Sequence, residues 1–267
     1  MHRIPAVADQ FYPGEPGILQ KTLAGLIAPA DDPEPALAVI MPHAGYIYSG
    51  GVAGETISGV EVPETVIVLG PNHRGVGSPV AIMGHGSWAM PLGEVEINRE
   101  LAAIIKKECP EAEEDPDAHR DEHSLEVLLP FLQYRRPDLK MVPLCLGTLS
   151  LGECKHLGEG LAASCRQYSA PVMLAVSTDM SHYLSRAESE ARDHLALERI
   201  MALDPDGLYN TVIGRRITMC GIIPTVTALI CAIGLGARKA RLIRYTDSGE
   251  ASGDTSRVVG YAGFIIQ

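Results

Sequence analysis

At 267 residues with 46% apolar content, the chain is long enough to bury a full core, yet no apolar run approaches the roughly eighteen residues of a membrane span. A formal net charge of -11 and a pI near 5.3 disfavour an extended nucleic-acid surface and leave only local basic pairs, such as Arg135-Arg136 and Arg215-Arg216, for anions. Six cysteines lie scattered without a C-x-x-C pair, which argues against a disulfide framework and for mostly buried core thiols.

The opening Met1 to Gln10 lacks a basic stretch followed by an apolar core, so a cytoplasmic protein without a signal peptide is expected. A helix is predicted from Ile18 to Ile27, then a Pro- and acid-rich loop from Pro29 to Pro35. The apolar run Ala38 to Met41 reads as a buried strand ending in Pro42-His43. A helix over Gly50 to Val60 follows, and a second apolar run, Thr65 to Leu69, ends in Gly70-Pro71-Asn72-His73. Strand, helix and strand in that order predict a parallel pair with His43 and His73 just past its carboxyl ends.

Val80 to Met83 and Val95 to Ile97 read as short accessory strands flanking a loop that holds Trp88, with a helix from Asn98 to Glu108 beyond. Leu125, Leu128, Leu129 and Leu132 recur at helical spacing, which places His123 in the first turn of a helix with one apolar face. A strand (Lys140 to Leu146), a helix (Leu151 to Tyr168) and a strand (Val172 to Val176) continue the alternation. The last of these ends in Ser177-Thr178-Asp179-Met180-Ser181-His182. Ser185 and Glu188 have capping-box spacing, so the next helix starts near Arg186 and leaves Asp179 and His182 in a loop. After a buried helix from Ile222 to Ile233, the Ala240 to Thr246 and Arg257 to Ile265 segments predict an antiparallel hairpin. The whole reads as a single domain over residues 1–267 of α/β class. It has three layers, with helices on both faces of a mainly parallel or mixed central sheet and the hairpin on one edge.

Open α/β sheets build their sites past strand carboxyl ends, so the residues there carry the chemistry. Taken alone, a strand-end histidine is more often a hydrogen-bonding residue than a ligand. Two in equivalent positions, His43 and His73, point to one coordination sphere, since neutral imidazole binds Fe, Zn or Cu well. Cys220 precedes the Ile222 helix, where a helix dipole is expected to favour its thiolate and make it a third ligand or a reactive thiol. Asp179 and His182 offer a carboxylate and an imidazole on one loop, suited to a base with its orienting partner, although an Asx turn with an incidental histidine would look the same.

Other patterns carry less. No G-x-S-x-G elbow is present. His119-Arg120-Asp121-Glu122-His123 matches the H-x-x-E-H of inverted zinc peptidases, but Asp115-Pro116-Asp117 places His119 in a loop or at a helix entrance, whereas that motif needs both histidines on one helix. A glycine pattern at Gly158 to Ala163 falls inside a predicted helix and is not a nucleotide loop.

Several blocks in order, Arg3 to Gly14, Pro42 to Gly50, Gly70 to His73, Glu122 to Glu126, Ser177 to Tyr183 and Met219 to Gly221, resemble the Memo family, also called AmmeMemoRadiSam system protein B. That family is similar to the class III extradiol dioxygenases, whose α/β fold holds non-haem Fe(II) with two histidines and a carboxylate. The resemblance implies His43 and His73 as paired metal ligands, with Cys220 in the carboxylate's place. It implies His182 as catalytic base oriented by Asp179, and His123, Asn72 and Tyr46 as substrate-pocket residues. Fe(II) is the metal expected first, with Zn or Cu admitted by the softer thiolate. Two functions follow. One is a metal-dependent, dioxygenase-like oxidoreductase acting on a small molecule; the other is a metal- or redox-sensing or peptide- or phosphopeptide-binding protein with a vestigial pocket. The family name also implies pathway partners, a radical-SAM protein and an AMMECR1-like protein.

Overall fold

The computed structural model describes residues 1–30 and 32–267; Asp31, within the predicted Pro29 to Pro35 loop, lies outside them. Among the described residues one twelve-stranded sheet draws strands from His2–Arg3 near one end of the chain to Val258–Ile266 near the other. Its centre is four parallel strands in the order Lys140–Leu146, Thr65–Pro71, Val172–Ser177 and Ala38–Met41. The Ala38–Met41 and Thr65–Pro71 strands are therefore not the direct pair that their succession predicts. Val172–Ser177 lies between them, and all three polar clusters follow the carboxyl ends of these parallel strands, at one end of the sheet.

Side chains alternate across these strands and fill two cores. Ile40, Ile67, Leu69, Leu174 and Val176 meet Leu157, Leu161, Val226 and Leu229 from the helices Leu151–Gln167 and Ile222–Gly234. On the other face Val39, Val66, Val68, Met173 and Ala175 meet Leu19, Leu23, Ala53 and Ile57 from Pro16–Leu26 and Tyr46–Ser58. Burial on both faces is why the runs are apolar without alternation. The edge is antiparallel, as expected: Val258–Ile266 pairs with Ala240–Asp247, with Ala38–Met41 and with the short strand His182–Leu184. The fold is thus α/β with a mixed central sheet.

Local departures have local causes. Trp88 lies on a strand, Ser87–Met90, hairpinned to Gly93–Ile97, because Trp88 and Met90 both face the core. The predicted Leu125 helix is split into a 3-10 turn, Glu126–Leu128, and an α-helix, Leu129–Arg135, with Pro130 in the first turn, where its missing N–H costs nothing. His123 precedes both, in a loop. His182 sits on the short edge strand and not in a loop. A further helix, Pro205–Arg215, is capped by Asp204, whose side chain accepts from the Gly207 amide. No helix among the described residues is long and apolar enough to cross a membrane.

Candidate metal centre

Three imidazoles converge beyond the strand ends. One ring nitrogen each from His43, His73 and His123 lies within 4.8 Å of the others. His43 and His73 have ring centroids 5.2 Å apart, and His123 stacks on His73 at 4.7 Å. Although their strands are not neighbours, His43 reaches the end of the intervening strand, its Nδ1 against Ser177 Oγ, and there meets the His73 ring. The His123 loop reaches the group because Gly70 lacks a side chain: a Cβ there would stand 2.7 Å from Ser124 Oγ and 2.6 Å from Leu125 Cδ1. Ser124 Oγ then donates to the Pro71 carbonyl at 2.8 Å, locking the loop to the strand.

The tautomers follow from the partners of each Nδ1. Ser177 Oγ donates to the Ser124 carbonyl at 2.6 Å, so it accepts from His43 Nδ1, also at 2.6 Å, and the lone pair of His43 lies on Nε2. His73 Nδ1 donates to Glu122 Oε1 at 2.9 Å, and His123 Nδ1 is 3.3 Å from the same oxygen. Glu122 is buried and also accepts from the amides of His73, His123 and Ser124. Burial by itself would raise its pKa. The hydrogen bond and charge of His73, with the Ser124 amide and His123, outweigh that and hold it at about 2. Burial and then His73 push His43 down to about 3; burial and then His43 push His123 down to about 4. Both rings are therefore neutral, the form that binds metal.

Cys220 stands beside this group, its Sγ 3.5 Å from His43 Nε2. Gly221 permits the approach, since a Cβ would lie 2.4 Å from the Ser177 carbonyl oxygen. The predicted dipole-favoured thiolate is not what the structure holds. Helix Ile222–Gly234 begins beyond Gly221, and burial, then the Asp179 carboxylate, raise the Cys220 thiol well above its ordinary range. Asp179 faces His43 and Cys220 and is not the partner of His182. Its Oδ1 accepts the His43 amide at 2.9 Å, its Oδ2 lies 3.9 Å from His43 Nε2, and its own amide donates to Cys220 Sγ at 3.2 Å. The orienting group of His182 is the Thr218 carbonyl, which takes Nδ1–H at 2.9 Å and leaves Nε2 as the free ring nitrogen.

The two expected pocket residues beside His123 are otherwise engaged. Asn72 closes its own loop, donating to the Val76 carbonyl at 2.8 Å and accepting from the Arg74 and Gly75 amides. This turn fixes His73 and engages the amide oxygen and one of the two Nδ2 hydrogens of Asn72. Tyr46 is buried with its hydroxyl donating to the Val127 carbonyl at 2.9 Å and its ring on Phe131. Tyr46 borders an adjoining cavity of about 650 Å³ without offering a polar group to it. The peptidase-like spacing fails as expected, since His119 is buried against Trp88 with Nε2 at the Ala81 carbonyl, and of that pair only His123 faces the centre. Sequence reasoning assigned no role to Glu122 or Ser177. Glu122 had a signal, an acid directly beside a candidate histidine; Ser177 had none beyond its strand-end position.

The donor set fits a metal ion. Nε2 is the ring nitrogen left free on both His43 and His73, each ring oriented through Nδ1 by an acceptor that is itself hydrogen-bonded, as metal-binding histidines usually are. The 3.5 Å between His43 Nε2 and Cys220 Sγ matches the spacing of two ligands bonded at about 2.0 and about 2.3 Å to one tetrahedral ion.

The model of the Memo-like protein family matches residues 3–265. A MEMO1 family protein of Methanopyrus kandleri is 39% identical, with 100% of this chain and 99% of that protein covered. One of Aquifex aeolicus is 40% identical over 99% of this chain and 98% of its own length. Among solved structures, an uncharacterized protein from Escherichia coli K12 superposes with a TM-score of 0.56 at 12% identity, covering 84% of this chain and 98% of that one, a likeness of fold alone. With nearly its whole length matched by the family model and by relatives of this identity, the chain belongs to the Memo family.

Proposed function

We propose that the protein is a non-haem metal-dependent oxidoreductase of dioxygenase-like type, with His43, His73 and Cys220 holding the ion and His123 lining the substrate side. The observation that carries this reading is the convergence of the His43, His73 and His123 rings, with His43 and His73 anchored through Nδ1 and the Cys220 thiol against His43 Nε2. Fe(II) in this site would supply redox and Lewis-acid chemistry toward dioxygen and a substrate hydroxyl; Zn or Cu would suit the same donors. His182 serves as base. Its Nδ1–H is committed to Thr218, so Nε2 is the nitrogen that takes a proton from a bound hydroxyl. Asp179 holds the His43 backbone and the Cys220 sulfur in register. The charge it adds beside the thiol is compensated when a metal cation takes the thiolate.

A second ligand set is favoured by the three-imidazole convergence itself, with His123 in place of Cys220. Anaerobic Fe(II) loading separates the two. Wild-type protein is expected to bind one equivalent, and His43→Ala and Cys220→Ser to lose it, while His123→Ala retains it. Equal binding by wild type, His43→Ala and Cys220→Ser would sink the metal centre. Loss on His123→Ala with retention in Cys220→Ser would exchange the third ligand.

A further inference from the structure

The Arg3 to Gly14 block supplies no metal donor, yet it is built into the centre. Arg3 is buried with its guanidinium 4.0 Å over the Trp88 ring. Its Nε donates to the His119 carbonyl at 2.6 Å, its Nη2 to the Glu122 carbonyl at 2.7 Å, and its Nη1 lies 2.7 Å from Glu126 Oε2. Glu126, also buried, accepts the Ala6 and Val7 amides at 2.8 and 3.0 Å and the Tyr12 hydroxyl at 2.6 Å. Residues 3 to 12 are thereby fastened to both ends of the segment that carries Glu122 and His123. At the far end of the strap the Phe11 ring packs 4.9 Å from the His123 ring, and the Phe11 carbonyl accepts the Tyr46 amide at 2.8 Å, just beyond His43.

The Glu122 to Ser124 loop belongs to no strand and is held at Ser124 alone by hydroxyl bonds, from Ser124 Oγ to the Pro71 carbonyl and from Ser177 Oγ to the Ser124 carbonyl. The hold of Glu122 on His123 Nδ1, at 3.3 Å, is looser than its 2.9 Å bond to His73. Beside the His43 and His73 rings, the Phe11 ring is the further aromatic contact on His123, 4.9 Å away and tilted by 55°. A buried ion pair contributes little net stability against its desolvation, but a planar five-donor fork that spans two carbonyls and a carboxylate fixes geometry in a way no single point charge can. We propose that Arg3 and Phe11 are positioning residues of the metal centre: Arg3 fixes the turn that bears Glu122 and His123, and Phe11 seats the His123 ring against His73. This rests on the reading of the site as a metal centre.

The test uses full-length Phe11→Ala, Phe11→Leu and Arg3→Lys, with the imidazole nitrogen resonances of the metal-free protein and the affinity and visible spectrum of added Co(II). In wild type His123 is expected as a single Nδ1–H tautomer. Phe11→Ala mixes its tautomers while His43, held by Ser177, is unchanged; Co(II) still binds at one equivalent, with an affinity about tenfold lower and an altered spectrum. Phe11→Leu restores most of both, and Arg3→Lys behaves like Phe11→Ala. Should Arg3→Lys not fold, the Phe11 pair decides. Lower thermal stability with wild-type His123 resonances and a wild-type Co(II) spectrum would reduce the strap to a structural clamp and overturn the proposal. Absence of Co(II) binding by wild type would defeat the metal reading separately, with the tautomer comparison still deciding whether Arg3 and Phe11 position His123.

Discussion

Glu122 holds the His73 ring through a 2.9 Å bond from Nδ1 to Oε1, and the same oxygen faces His123 Nδ1 at 3.3 Å. One buried carboxylate thus sets the orientation of two imidazoles and raises the basicity of their inward nitrogens. Glu122→Gln keeps the shape but removes the charge and one acceptor. Fe(II) affinity, measured by chelator competition, is expected to fall roughly 10- to 100-fold with stoichiometry retained at saturation. An unchanged affinity would remove Glu122 from the centre.

Asp179 and His182, neighbours in sequence, act on different parts of the site. His182→Ala is expected to retain wild-type metal content while any turnover supported by the loaded protein drops by roughly a hundredfold or more. Asp179→Asn disturbs the His43 and Cys220 contacts instead, so its first effect is on metal affinity. Metal analysis of the two purified variants checks this. Loss of metal in a folded His182→Ala protein would place His182 among the ligands.

Cys220 gives a related expectation. With its thiol enclosed beside the Asp179 carboxylate, it stays protonated in the metal-free protein and reacts slowly with iodoacetamide at neutral pH. Asp179→Asn should speed the reaction. Mass-spectrometric labelling that finds Cys220 the fastest thiol in wild type would restore the dipole-favoured thiolate.

His119 makes stability depend on pH. Burial first, and Arg3 next, depress its pKa from 6.5 to about 4 in the folded protein. The unfolded chain therefore binds the proton more readily. Its contribution is fully present above about pH 6.5, declines as pH falls and is gone below about 4, a difference on the order of 3 kcal/mol. His119→Gln, which preserves a donor toward the Ala81 carbonyl, should flatten that part of the wild-type curve in denaturant titrations between these pH values. Parallel curves for the two proteins would count against the assignment.

Where a pattern was continuous, the sequence was legible. The three apolar runs told of buried strands with a site at their carboxyl ends, and Ser185 sits at the cap its spacing to Glu188 predicts, whereas Asn98, read as the first helical residue, is instead the cap of Arg99–Glu108. Strand order was not legible, because Val172–Ser177 inserts between two strands that follow one another in the chain, a choice made by packing over long separations. The same holds for the site. His43 and His73 stood out by position, whereas the pairing of Glu122 with His73, the attachment of His182 to Thr218 and the approach of Asp179 to Cys220 depend on loops whose course only the tertiary fold determines.

The most direct test is X-ray absorption at the metal edge of the anaerobically Fe(II)-loaded protein, compared with Cys220→Ser. One sulfur scatterer at about 2.3 Å beside nitrogen scatterers in wild type, absent in the variant, is the predicted result. A stoichiometrically loaded wild-type protein with only nitrogen and oxygen neighbours would contradict the assignment of Cys220 as a ligand.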